Sequence, residues 1–155
     1  MIDLPPSLSR PKGTPRVNTK RHMKTGRHVS LSVLVIDDEA ALCALLTKTI
    51  EKSGHSVDTA LSVDKCTALL MKKRYDIAFL DILMPDVDCA SMLKAFYRLS
   101  PQTAIVLMSD KYLNEYVMKD LLARGICAFV QKPFTVGIIK HIIETSCRGK
   151  GRDRG

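Results

Sequence analysis

Short apolar runs of strand length punctuate this chain at regular intervals, and they constrain its fold more than any other feature. They are Val33–Ile36, Ile77–Leu80, Ala104–Met108 and Cys127–Val130, with a shorter, more mixed stretch at Ser56–Thr59. Between them the apolar residues recur at helical spacing: Leu42, Leu45, Leu46, Thr49 and Ile50; then Val63, Cys66, Leu69 and Leu70; then Met92, Leu93 and Phe96. A further helix is predicted around Tyr112–Arg124, and Ile138, Ile139, Ile142 and Ile143 mark a last one ending near Cys147. Gly54, Pro101 and Gly125 supply the breaks. Strands that are continuously apolar rather than alternating belong to a sheet covered on both faces, which parallel strand–helix crossovers provide. The expectation is a doubly wound α/β sandwich of five parallel strands and five helices, in the order 2-1-3-4-5.

The formal net charge of +8 comes from the ends of the chain. Residues 1–30 carry seven Lys and Arg against one Asp, residues 148–155 carry four against one, and residues 31–147 carry 13 basic against 14 acidic side chains. With Pro5, Pro6, Pro11 and Pro15 and few apolar residues, 1–30 reads as a disordered basic tail. Residues 31–147 read as one domain and 148–155 as a second disordered basic tail. Met23 opens an alternative start, MKTGRHVSLSVLVIDD, close to the first strand, which makes 1–22 readable as an over-extended reading frame. No apolar stretch approaches the roughly 20 residues of a membrane span, and no signal-peptide core follows the basic N-terminus. A cytoplasmic protein without membrane contact is expected. The five cysteines are scattered and form no CxxC pair, so neither zinc nor a disulfide framework is indicated, and each reads as a small hydrophobe.

Chemistry gathers where the apolar runs end. Asp37 and Asp38 follow the first, Asp81 the third and Ser109 the fourth, while Lys132 lies just beyond the fifth. In an open parallel sheet these ends meet at the crevice where ligands bind. Carboxylates brought together there are costly to bury unpaired. A hard divalent cation such as Mg²⁺ relieves that cost, because it prefers oxygen ligands. A carboxylate is also a usable nucleophile toward phosphorus, and an ammonium beside it suits phosphoryl oxygens.

Together, VLVIDDE, DILMP, an apolar run ending in Ser, and FVQKPF make residues 31–147 resemble a receiver domain of the two-component response-regulator family. The resemblance implies a flavodoxin-like fold, with Asp81 as phosphoacceptor. It implies Mg²⁺ or Mn²⁺ bound by Asp38, Asp81 and the backbone carbonyl of Leu83, with Asp37 acting through water. Ser109 and Lys132 would bind the phosphoryl group, and Phe129 occupies the aromatic switch position. Pro133 fits the family's cis pattern, which the sequence by itself leaves open. The implied partners are a sensor histidine kinase or phosphotransfer protein and an unidentified downstream protein, with phosphorylation-dependent dimerisation allowed.

Simpler roles exist for several of these residues: a helix cap for the Asp37-Asp38 pair or for Ser109, and an ordinary core aromatic for Phe129. Three departures from the family pattern stand out. Cys89 takes a usual glycine position, so either strain or a shifted loop is expected there. Asp110 replaces a small residue; it is read as facing solvent or capping the next helix, with a narrowed phosphate site as the alternative. Leu83 and Lys111 occupy the positions that influence hydrolysis, and slow autodephosphorylation is expected.

The leading reading is therefore a stand-alone, phosphorylation-controlled binding module and not an enzyme with a turnover substrate. The alternatives are a phosphorylation-independent interaction module, or weak nucleic-acid binding through the basic tails. Sequence-specific DNA binding is disfavoured because no helix-turn-helix is recognisable. An Asp-nucleophile hydrolase is disfavoured because Ile82 and Leu83 stand where a second acid is expected.

Overall fold

The computed structural model describes residues 4–13, 29–85 and 87–147. Strands β1 (Ser32–Ile36), β2 (Ser56–Ala60), β3 (Ile77–Asp81), β4 (Ala104–Ser109) and β5 (Ala128–Gln131) alternate with five helices. These are α1 (Ala40–Lys52), α2 (Val63–Lys72), α3 (Cys89–Leu99), α4 (Glu115–Ala123) and α5 (Val136–Cys147). All strand pairs are parallel and the order is β2-β1-β3-β4-β5, as the sequence predicts. The mixed composition of β2 has a positional cause: it is an edge strand, and only Ala60 is buried.

The sheet divides its side chains between two cores. Leu34, Ile36, Ala78, Leu80, Ile105 and Leu107 face Cys66 and Leu70 of α2, Leu93 and Phe96 of α3, and Leu121 of α4. The intervening Val33, Val35, Ile77, Phe79, Val106 and Met108 face Cys43, Leu46 and Ile50 of α1 and Ile139, Ile142 and Ile143 of α5. Each strand thus feeds both layers, which is why its sequence is apolar without alternation. Cys43, Cys66 and Cys89 are buried, and desolvation pushes their thiols up to about 11, 12 and 12 respectively. They behave as packing residues, as expected.

Helix α4 starts at Glu115 rather than Tyr112. Asn114 is the better cap, and its side chain accepts the Val117 N–H at 2.9 Å. The helix ends in a Schellman turn. The Gly125 N–H bonds the Leu122 carbonyl and the Ile126 N–H bonds the Leu121 carbonyl, both at 3.1 Å, with Leu121 and Ile126 buried. Gly125 has φ +104°, a conformation that disfavours a side chain.

The expectation of a disordered tail over 1–30 is corrected for residues 4–13, which pack against the domain. Leu8 is only 5% exposed, Leu4 packs on the same core, and Arg10 lies against Gly125. Composition argued for disorder because apolar residues are few, yet one leucine seated in an existing core and backbone carbonyls offered to arginine are enough to order a short segment. A start at Met23 would remove all of these contacts. Residues 1–3, 14–28 and the expected tail 148–155 lie outside the described residues.

Gly125→Ala is expected to cost about 1–2 kcal/mol from the backbone conformation alone. The added Cβ would also stand 2.6 Å from Arg10 Cβ. Denaturant unfolding of the full chain measures the loss.

Candidate functional site

Register brings the chemical residues to one edge of the sheet. Ile36 pairs with Leu80, so Asp37 follows β1 beside Asp81 at the end of β3. Asp81 pairs with Met108 and Ser109 with Gln131, which sets Ser109 and Lys132 one step further along. The Lys132 N–H bonds the Ser109 carbonyl at 2.8 Å. The strand order reverses between β1 and β3, so the site sits at a topological switch point.

Asp37 is fully buried. Its Oδ2 accepts from Lys132 Nζ at 2.6 Å, and its Oδ1 accepts the Glu39 N–H at 2.9 Å. The second bond is a local turn, and Glu39 is the N-cap residue of α1, with no hydrogen bond from a capping side chain. The Asp37-Asp38 pair is therefore not a helix cap. Asp81 accepts the Leu83 N–H at 3.0 Å and Lys132 Nζ at 3.3 Å. Lys132 is thus shared, with Asp37 the nearer partner. Asp38 is exposed at the cleft mouth. Carboxylate oxygens of Asp37, Asp38 and Asp81 all lie within 4.8 Å of one another. This all-oxygen donor set suits a hard divalent cation. Both oxygens of Asp37 and of Asp81 already accept a hydrogen bond, the longest being the 3.3 Å bond from Lys132 to Asp81, while Asp38 is exposed at the mouth of the cleft.

Burial raises the Asp81 carboxyl above its ordinary value. The Leu83 N–H opposes that rise, the Asp37 charge adds to it and Lys132 opposes it. For Lys132, burial disfavours the charge, but the hydrogen bond it donates to Asp37 and the charges of Asp81 and Asp37 outweigh it, and the net direction is upward. The lysine therefore keeps its proton, and the cluster depends on that positive charge.

The cleft above these groups has a volume of about 710 Å³ and is walled by Asp38, Leu45, Leu83, Asp110 and Phe134, among others. Asp110 contributes to this wall and does not cap α4, a role taken by Asn114. Of the two roles read for Asp110, facing solvent holds, since it is exposed, and capping does not, because Lys111–Leu113 intervene before the helix begins. Cys89 forms the first turn of α3, with Asp88 as N-cap accepting the Ala90 N–H at 3.2 Å. Helical backbone at Cys89 needs no glycine, so the strain considered for that substitution does not arise.

Ser109 lies at the strand end, 4% exposed, but its hydroxyl is turned to the following loop. It donates to the Lys111 carbonyl at 2.9 Å and accepts the Lys111 N–H at 3.0 Å. It does not cap a helix. Phe129 on β5 is half-buried and packs against the core shared by α2, α3 and α4. The Lys132–Pro133 peptide bond is cis. The sequence reading missed Glu39, whose N–H orients Asp37, and the Ser109–Lys111 pair. Glu39 was visible as the next residue after the acidic pair, but a backbone donor carries no residue signature.

A sequence model described as the response regulator receiver domain matches residues 33–144. The chain belongs to the response regulator receiver family. Among curated relatives, this receiver domain is 27% identical over 106 residues to the probable transcriptional regulatory protein TcrX of Mycobacterium tuberculosis, covering 68% of the chain and 45% of TcrX. It is 31% identical over 135 residues to a protein-glutamate methylesterase/protein-glutamine glutaminase of Burkholderia thailandensis, covering 80% of the chain and 38% of that protein. The chain thus spans less than half the length of either relative. A CheY-like receiver domain structure from Methanospirillum hungatei shares the fold at TM-score 0.68 and 22% identity, covering 77% of this chain and 95% of that one. As a two-component receiver, the domain is of the phosphorylation-controlled signalling type. Among the described residues, no helix is long and apolar enough to cross a membrane.

Lys132→Ala is expected to leave the buried Asp37 carboxylate without its cation and to cost about 1–3 kcal/mol or more. Urea unfolding in EDTA measures that loss. Added Mg²⁺ should recover part of it, because the ion stabilises the folded state by mass action.

Proposed function

We propose that this receiver accepts a phosphoryl group on Asp81 from the phosphohistidine of a sensor kinase or phosphotransfer protein, in a Mg²⁺-dependent step. The observation that carries the reading is Lys132 Nζ held between Asp37 and Asp81, at 2.6 and 3.3 Å, beside a cluster of carboxylate oxygens. A bound cation, held by Asp38, Asp81 and the Leu83 carbonyl with Asp37 behind them, would neutralise charge on the transferring oxygens. An Asp81 oxygen attacks phosphorus, the bond from phosphorus to the histidine nitrogen breaks, and the imidazole leaves with that electron pair. An acyl phosphate on Asp81 is the product. Lys132 then follows the new negative charge from Asp37 toward the phosphoryl oxygens, which its flexible stem allows.

The switch follows from Ser109. To reach a phosphoryl oxygen its hydroxyl must give up both bonds to Lys111, which frees the loop into α4 and leaves room for Phe129 to turn inward. The face of α4, β5 and α5 changes shape, and a downstream protein or a second copy reads the change through its difference in affinity. The domain acts as a signalling module in the cytoplasm and has no turnover substrate.

Incubation with Mg²⁺ and acetyl phosphate should add one phosphoryl mass to the chain. Asp81→Asn or EDTA should abolish the gain. A chain that stays unmodified beside a reactive control receiver would leave a phosphorylation-independent interaction module as the function.

Phosphate lifetime should be long, because Leu83, beside the acceptor, has no polar group to position an attacking water. Leu83→Asn is expected to speed decay of the acyl phosphate, followed by intact mass over time. Unchanged decay would rule against the role of Leu83.

A further inference from the structure

At the end of the sheet opposite the Asp81 cleft, residues 4–13 lie across the C-terminal ends of α3 and α4. The contacts are reciprocal. The Arg10 N–H donates to the Arg124 carbonyl at 2.9 Å, and the Arg10 side chain donates to the Pro101 and Thr103 carbonyls at 2.6 and 3.1 Å. Arg124, in turn, donates through Nη1 to the carbonyls of Pro5 and Leu8. Leu8 is buried in the core that also contains Tyr97, Leu121 and Ile126, and its N–H closes a turn onto the Pro5 carbonyl at 3.0 Å. Tyr97 adds a bond to the Arg124 carbonyl at 2.7 Å.

What this segment grips is the weakest helix of the domain. Helix α4 has nine residues, short of the length at which a helix is stable on its own, and Leu121 is its only residue among those described that is buried. Tyr116 and Leu122 face outward, 82% and 47% exposed. Packing holds α4 through the buried Leu121 and the partly buried Val117, so its two ends matter correspondingly more. The N-terminal end is reached through the loop latched by Ser109 to Lys111. The C-terminal end is Arg124, the cap residue, whose carbonyl would otherwise lack a helical partner.

We propose that the groove between the ends of α3 and α4 is a docking surface for the chain's own segment Leu4–Pro11, and that this docking clamps α4 in the position that goes with Ser109 bonded to Lys111. The occupant is seen in place, and it matches the groove by an apolar anchor at Leu8 and a donor fork at Arg10. Resting on the reading of Asp81 as phosphoacceptor, the clamp opposes charging: phosphorylation releases the Ser109 end of α4, while the docked segment retains the Arg124 end. By linkage, phosphorylation must weaken docking of the segment by the same factor by which docking disfavours the phosphorylated state at equilibrium.

Hydrogen exchange and phosphorylation on the full chain test this, with Arg10→Ala and Leu8→Ser compared with the wild type. Neither residue belongs to the Asp81 cleft. Both variants should speed amide exchange across residues 115–126 about fivefold or more, and should raise the phosphorylated fraction reached at a fixed concentration of acetyl phosphate and Mg²⁺. Unchanged exchange in α4 would overturn the clamp. Faster exchange with unchanged charging would overturn its opposition to phosphorylation and leave the docking intact. A wild-type chain that gains no phosphoryl mass would remove the Asp81 reading and the opposition with it, while exchange in α4 would still decide the clamp.

Discussion

One ammonium group holds the functional edge of this molecule together. Lys132 Nζ bonds Asp37 from β1 and Asp81 from β3, and it arrives from the end of β5, so three strands meet at one charge. Two carboxylates, one fully buried and one 7% exposed, would repel each other and lose their hydration without it. The asymmetry of the arrangement is informative. The shorter bond goes to Asp37 and the longer one to Asp81, and each carboxylate has a backbone N–H as its second partner, from Glu39 and Leu83 respectively.

The two-layer core explains how such a small edge can be positioned accurately. Consecutive residues of β1, β3 and β4 point into opposite layers, so each strand is held between α1 and α5 on one side and α2, α3 and α4 on the other. The acidic edge is the point where those three strands stop. Rigidity is not evenly shared, however. Phe79, Leu93 and Phe96 are fully buried, whereas α4 rests on Leu121 and on what happens at its ends. The stiff part of the domain carries the carboxylates, and α4 lies outside it.

Much of this was legible in the residues. Unbroken apolar runs at Val33–Ile36 and Ala104–Met108 could only mean strands covered on both faces, and the strand ends at Asp37, Asp81 and Ser109 marked the crevice. Relations that no side-chain pattern encodes were harder to read. The preference of Lys132 for Asp37 is a matter of distance, 2.6 Å against 3.3 Å, which residue types do not encode. The bonds of Ser109 to Lys111 and of Glu39 to Asp37 use backbone groups that every residue carries. The helix start at Asn114 was obscured by Tyr112 and Leu113, whose apolar character extends the helical pattern past the true cap. The docking of residues 4–13 was hidden by composition, because proline and arginine signal disorder when averaged over thirty residues but can be bound singly.

That last point changes what the charge at the N-terminus means. Arg10 counts toward the basic excess of the sequence, yet the bonds it makes to Pro101 and Thr103 end on neutral carbonyls. The bonds from Arg124 Nη1 to Pro5 and Leu8 do the same. Attraction between opposite exposed charges fades as salt rises, but hydrogen bonds to carbonyls beside a buried leucine are screened far less. The grip on α4 is therefore largely indifferent to ionic strength, and a residue that looks electrostatic in the sequence works here as a directional donor.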